Sequence, residues 1–151
     1  MTPEQMAHLH ARAFASLGRA WSASEFADLL ESPLCFGVGD ARAFALGRVI
    51  GDDAELLTLA TDPDHRRLGL ARARLTAYET TAAERGATRT FLEVAQNNAA
   101  ALALYLAAGY TETARRKNYY QTPDNSRVDA LILQKQLGEN ASHIVRSEAK
   151  R

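Results

Sequence analysis

Hydrophobic positions along the chain change their period several times, and each change marks an element. Between Pro3 and Leu17, Met6, Leu9, Ala13 and Phe14 recur at helical spacing and share one face. Ser22-Ala23-Ser24-Glu25 has the capping-box pattern, so a second helix is predicted to about Glu31, ended by Ser32-Pro33. The spacing then becomes strand-like. Leu34 to Val38 and Ala43 to Ile50 are apolar runs joined by the hairpin signature Gly39-Asp40-Ala41-Arg42, and Gly51-Asp52-Asp53 turns into a third run, Glu55 to Thr61. Leu70 to Arg85 returns to helix formers and stops at Gly86. Thr88 to Val94 reads as a strand, and Asn97 or Asn98 caps a helix to Ala108 with Gly109 at its end. Glu112 to Tyr120 and Val128 to Gln136 form a closing strand pair around Thr122-Pro123-Asp124-Asn125-Ser126.

The order of two helices, three strands, helix, strand, helix and two strands predicts a mixed α/β (α+β) fold with helices on a mainly antiparallel sheet. A chain of 151 residues fits a single domain, expected over residues 1–137, that buries about two-thirds of its unfolded surface. Gly138 to Arg151 is polar and charged and is expected to be a disordered tail. The 18 basic and 18 acidic residues cancel, which argues against bulk electrostatic binding to nucleic acid or to an anionic membrane. Cys35 is the only cysteine and sits in Leu34-Cys35-Phe36, so it reads as a small strand hydrophobe with no disulfide framework. Met1-Thr2-Pro3-Glu4-Gln5 lacks the pattern of an export signal, and no apolar run approaches the ~20 residues of a membrane span, so a cytoplasmic protein is expected.

Charge matters locally. Arg66-Arg67-Leu68-Gly69-Leu70-Ala71 lies between the Glu55–Thr61 run and the next helix, with Arg72 and Arg74 close behind. A helix entered through a glycine-containing loop points free N–H groups and its positive dipole end at whatever sits there, and a pyrophosphate is the expected guest. On its own the stretch reads equally as a solvated basic turn. It is neither a dinucleotide fingerprint nor a Walker loop, since it lacks both G-x-G-x-x-G and Gly-Lys-Ser/Thr.

That loop fits the Q/R-x-x-G-x-G/A motif, and with the element order the chain resembles the GCN5-related N-acetyltransferases (GNAT). Within that superfamily it is most similar to the RimI family, which acetylates the N-terminal alanine of a small-subunit ribosomal protein. The resemblance is carried by Glu55-Leu56-Leu57-Thr58-Leu59-Ala60-Thr61-Asp62-Pro63, by Phe91-Leu92-Glu93-Val94 leading to Asn98-Ala99-Ala100-Ala101-Leu102-Ala103-Leu104-Tyr105, by Asn118-Tyr119-Tyr120 and by Asp129-Ala130-Leu131. Two departures stand out. Thr2-Pro3-Glu4 enters a helix at once, so the family's first strand is expected to be absent, and Ala71 stands where glycine is commoner.

The resemblance implies a sheet with a splayed central strand pair and an acetyl group taken from acetyl-CoA. By that resemblance Leu59, Ala60 and Thr61 offer backbone N–H groups to the pantetheine and acetyl carbonyl. Arg66, Arg67, Leu68, Gly69, Leu70, Ala71 and Arg72 bind the pyrophosphate, and Asn98 contacts the cofactor. Glu93 matches the general base, Tyr105 the acid that reprotonates the thiolate, and Tyr119 and Tyr120 the substrate groove. The residues alone leave alternatives: Glu93 also fits a solvated strand face, and Tyr105 a core stripe with Leu102, Leu106 and Gly109. Adjacent strand residues face opposite sides, so one of Tyr119 and Tyr120 is expected in the cleft. His8 and His10 do not share a helix face, His65 reads as solvated, His143 falls in the tail, and no metal site is expected. The expected partners are acetyl-CoA and the N-terminal peptide of a ribosomal protein, with the oligomeric state left open. Other readings are a GNAT enzyme for a different amine (protein lysine, a polyamine, an aminoglycoside) and a non-catalytic acyl-CoA sensor.

Overall fold

The structure, a computed structural model, describes residues 1–15 and 20–138. The stretch expected as a disordered tail lies, from residue 139 on, outside the described residues, as does the end of the first predicted helix. Helix α1 (Pro3–Ala13) starts at Thr2 through a capping box with Gln5 and places Pro3 in its first turn, where a missing N–H costs nothing. Helix α2 (Ala23–Glu31) is capped by Ser22 and Glu25 in the same way, as its sequence predicts. Strands β1 (Cys35–Asp40), β2 (Ala43–Ile50) and β3 (Asp53–Thr61) form an antiparallel meander. A short 3-10 turn (Pro63–His65) leads to α3 (Leu70–Glu84), then β4 (Arg89–Ala95), α4 (Ala99–Ala107), β5 (Thr111–Gln121) and β6 (Arg127–Gln136). Among the described residues no strand precedes α1.

The six strands make one sheet in the order β1-β2-β3-β4-β6-β5, antiparallel throughout except for β3 beside β4. Helices cover both faces. On one, Leu75, Tyr78 and Ala82 of α3 and Tyr105 of α4 pack on Ala45, Ala54, Leu56, Leu92 and Val94. On the other, Met6 and Leu9 of α1 and Phe26 of α2 pack on Phe44, Leu46 and Ala60. A strand covered on both faces reads as a continuous apolar run, which is why β2 carries so little polarity.

Two irregularities interrupt the centre of this sheet. The parallel ladder runs only from Asp53–Arg89 to Leu56–Leu92, after which β3 and β4 diverge. Just past that point β3 bulges: Leu46 opposes Thr58 while Gly47 opposes Leu56, which leaves Leu57 as the extra residue. One inserted residue flips the alternation of everything beyond it. Ala54 and Leu56 face α3, whereas Leu57 and Ala60 face α1 and α2.

Candidate active site

The divergence of β3 from β4 opens a passage through the sheet, with a cavity on each side. The first, about 440 Å³, lies between the strands on the α1 side and is lined by His10, Phe14, Trp21, Thr58, Glu93 and Tyr120 among others. The second, about 650 Å³, is walled by the arginine loop, the start of α3 and the start of α4. They share Phe14, Leu59, Asn98, Ala101 and Tyr105, so the two spaces meet at these residues.

The second cavity is built for an anion. Gly69 occupies the N-cap of α3 with φ 74°, a conformation glycine adopts without a Cβ penalty, and it has no side chain to cap the helix. The first N–H groups of α3, at Leu70, Ala71 and Arg72, are therefore left to a ligand. Arg67 is also left-handed, with φ 65°, and among the described residues Arg66, Arg67 and Arg72 form no ion pair. Unneutralised guanidiniums beside free helix amides fit a diphosphate. The neighbouring acids are already engaged: Arg12 binds Asp62 and Asp64 at 2.9 Å each, and a backbone N–H with Arg12 holds the Asp62 carboxyl below its usual range. From Leu57 to Thr61 the edge of β3 facing β4 has no strand partner among the described residues, so its backbone groups are open to an extended ligand.

The first cavity holds the acid–base candidates. Leu92 and Val94 are buried toward α3, so alternation turns Glu93 toward the passage, where its side chain is 28% exposed. Its Oε2 accepts a hydrogen bond from Tyr120 Oη at 2.5 Å, and Arg116 Nε stands 3.7 Å from Oε1. Burial, then the bond to Glu93, pushes the Tyr120 phenol well above its ordinary value, so it stays a donor. A bulge in β5 brings these groups together: Arg116 pairs with Ala130 and Tyr120 with Val128, so residues 117–119 bow out over Asp129. Asn118 takes φ 52° there, and Asp129 fixes the bow by accepting its N–H at 3.0 Å while binding Arg115 at 3.1 Å.

Tyr105 is 6% exposed and sits where the cavities meet, with burial raising its hydroxyl well above the ordinary tyrosine range. Among the described residues that hydroxyl has no hydrogen-bond partner. Asn98 caps α4 by accepting the Ala101 N–H at 3.3 Å, and it borders both cavities.

Most residues singled out by the sequence thus converge on the passage: Leu59, Thr61, Arg66, Arg67, Gly69, Leu70, Ala71, Arg72, Glu93, Asn98, Tyr105 and Tyr120 line one cavity or both. Three side chains do not. Leu68 is 63% exposed and off the wall, Ala60 is buried against α1 and α2, and Tyr119 points outward under the Arg116 guanidinium. His10, Thr58, Phe14, Trp21 and Arg116 were not anticipated. The signal for His10 is its i+4 step from Met6, which puts it on the buried face of α1 rather than with His8.

Residues 4–110 match the model of the acetyltransferase (GNAT) family. The chain belongs to the GNAT family. Among GNAT relatives, the [ribosomal protein bS18]-alanine N-acetyltransferase of Escherichia coli (strain K12) is 44% identical over 95 residues, 63% of this chain and 64% of that protein's length. The enzyme of the same name from Haemophilus ducreyi is 41% identical over 91 residues, covering 60% of this chain and 63% of its own. The chain therefore spans less than two-thirds of the length of these curated relatives. The crystal structure of the Escherichia coli ribosomal-protein-S18-alanine N-acetyltransferase superposes with a TM-score of 0.79 at 35% identity, covering 91% of each chain. The fold and family read from the sequence are borne out, including the mainly antiparallel sheet and its flanking helices. Among the described residues no helix is long and apolar enough to cross a membrane.

Proposed function

We propose that this GNAT protein transfers an acetyl group from acetyl-CoA to the N-terminal alanine of ribosomal protein bS18. The observation that carries the reading is the pair of cavities meeting at the β3/β4 split, one suited to a diphosphate and the other bearing Glu93. The similarity to the Escherichia coli enzyme supports the choice of acceptor.

The donor supplies an activated thioester. Arg66, Arg67, Arg72 and the α3 amides hold its diphosphate, and the open edge of β3 at Leu59 to Thr61 orients the acyl arm toward the split. An α-amino group has a pKa of about 7.7–8.0, so at pH 7 roughly a tenth is neutral. The neutral amine attacks the thioester carbonyl, and Glu93 takes the one proton its nitrogen must shed to become the amide, directly or through a water. Backbone N–H groups of β3 steady the oxyanion. Tyr105 donates its proton to the departing thiolate, a task for which a hydroxyl kept protonated and free of other partners is suited.

Thiol release is followed with acetyl-CoA and either alanine-starting ribosomal peptides, a lysine peptide or a polyamine. Turnover with the alanine peptide is expected. Turnover confined to lysine or polyamine would overturn the acceptor, and binding of acetyl-CoA without turnover of any amine would make the protein a sensor.

A further inference from the structure

The first cavity contains a buried donor that the proposed acetyl transfer does not use. Thr58 is 8% exposed and His10 3% exposed, and His10 Nε2 lies 3.1 Å from Thr58 Oγ1. The other ring nitrogen settles the direction of that bond. His10 Nδ1 lies 3.1 Å from the Trp21 backbone nitrogen, which can only donate. Nδ1 is therefore an acceptor, the proton of the neutral ring is on Nε2, and Nε2–H donates to Thr58. Thr58 Oγ1 is thus occupied as an acceptor, and its own O–H has no acceptor among the described residues. Buried donors require a partner. The β3 bulge aims this one: by turning Thr58 to the α1 face, it puts the hydroxyl on the wall of the same cavity as Glu93. Glu93 stands one residue, and Thr58 two, beyond the last rung, Leu56–Leu92, on opposite sides of the split.

We propose that the Thr58 hydroxyl, locked by His10, donates a hydrogen bond to the first carbonyl oxygen of the acceptor peptide, so that Thr58 and Glu93 grip that residue by its carbonyl and its amine. The proposal rests on the reading of this cavity as the acceptor site. A carbonyl is also present on the donor's acetyl group, but Thr58 borders only the cavity on the α1 side. His10 acts through Thr58 and is a positioning residue.

The test compares two ligands on the CoA-bound protein: an alanine-starting peptide, and the same peptide with a trans carbon–carbon double bond in place of its first peptide bond. Binding is measured by calorimetry and by the fluorescence of Trp21, the single tryptophan, which lines this cavity. Wild type is expected to prefer the carbonyl peptide by about tenfold, the worth of one such bond. Thr58→Val should abolish the preference, Thr58→Ser should keep it, and His10→Leu should reduce it. The preference is a ratio within one protein, so a general loosening of the fold does not mimic it. Equal affinity for both ligands in wild type, no binding of either, or an unchanged preference in Thr58→Val would overturn the proposal. So would a Thr58→Val defect that follows the acetyl group, weakening acetyl-CoA but not CoA. A carbonyl preference without turnover would instead sink the proposed activity and leave this subsite standing.

Discussion

Gly47 marks a point where the core has no room for one methyl group. An ideal Cβ there would lie 2.2 Å from Tyr78 Cε1, 2.7 Å from Cδ1 and 3.1 Å from the Glu55 carbonyl oxygen. Backbone conformation is not the obstacle, since Gly47 is not among the glycines with positive φ. Tyr78 has nowhere to go: it is fully buried, its hydroxyl is 2.6 Å from Thr90 Oγ1, and its ring stacks on Phe36 at 5.7 Å. Gly47→Ala must therefore displace that ring or part β2 from β3. Overpacking costs about 1–3 kcal/mol, and breaking the buried Tyr78–Thr90 bond adds about 1–3 kcal/mol more. A net loss of about 2–6 kcal/mol is expected, which for a chain of this size lowers Tm by roughly 4–24 °C. Thermal and urea unfolding measure it. The cause is isolated by Tyr78→Leu, which removes the ring that clashes. In that background Gly47→Ala should cost at least about 1 kcal/mol less than in the parent. A Gly47→Ala protein that melts with the parent, or a strictly additive double variant, would refute the steric argument.

Other outcomes concern the site itself. Glu93→Gln keeps an acceptor for Tyr120 but removes the base, so kcat should fall about 10²–10⁴-fold while the Kd for acetyl-CoA stays put. Tyr105→Phe should also lower kcat and spare Kd; parallel losses of cofactor binding would show that these roles are misassigned. Arg67→Gly relieves a left-handed residue, a conformation costing about 1–2 kcal/mol in L-residues, and removes the guanidinium proposed to hold the diphosphate. It should weaken coenzyme A about tenfold without lowering Tm, whereas Arg67→Ala should lower both affinity and Tm. Asn98→Ala loses the α4 cap, worth about 1 kcal/mol, and should lower Tm by a few degrees together with coenzyme A affinity.

Much of this molecule was legible in its sequence because its local signals agree with the fold. Ser22 and Glu25 cap α2, Gly86 and Gly109 end helices with φ 100° each, and Leu92-Glu93-Val94 alternates as a strand should. The Asn97-or-Asn98 ambiguity resolves to Asn98, whose carbonyl oxygen caps α4. What stayed hidden depends on pairing between distant strands. Leu56-Leu57-Thr58-Leu59 reads as an ordinary buried run, and only the register against Leu46 and Gly47 reveals the extra residue that turns Thr58 toward His10. The bow at residues 117–119 is of the same kind. It sets Tyr120 opposite Val128 instead of Ser126 and so lets both Tyr120 and Arg116 reach Glu93.

The short parallel ladder has a consequence for cohesion. From Asp53–Arg89 to Leu56–Leu92 it supplies, among the described residues, the only rungs between the β1–β3 meander and the β4–β6–β5 sheet. The sheet is thus two well-zipped panels joined by a brief seam, and a thioester arm bound as proposed against the open edge of β3 would extend that seam. Occupancy then becomes mechanical: at a hundredfold excess over Kd, mass action alone adds about 2.7 kcal/mol to the folded state. Hydrogen exchange should slow most along residues 57–61 and 93–95, and little in the outer hairpin of β5 and β6. In this protein the acetyl donor would serve as a part-time strand, present in the sheet only for the length of a turnover.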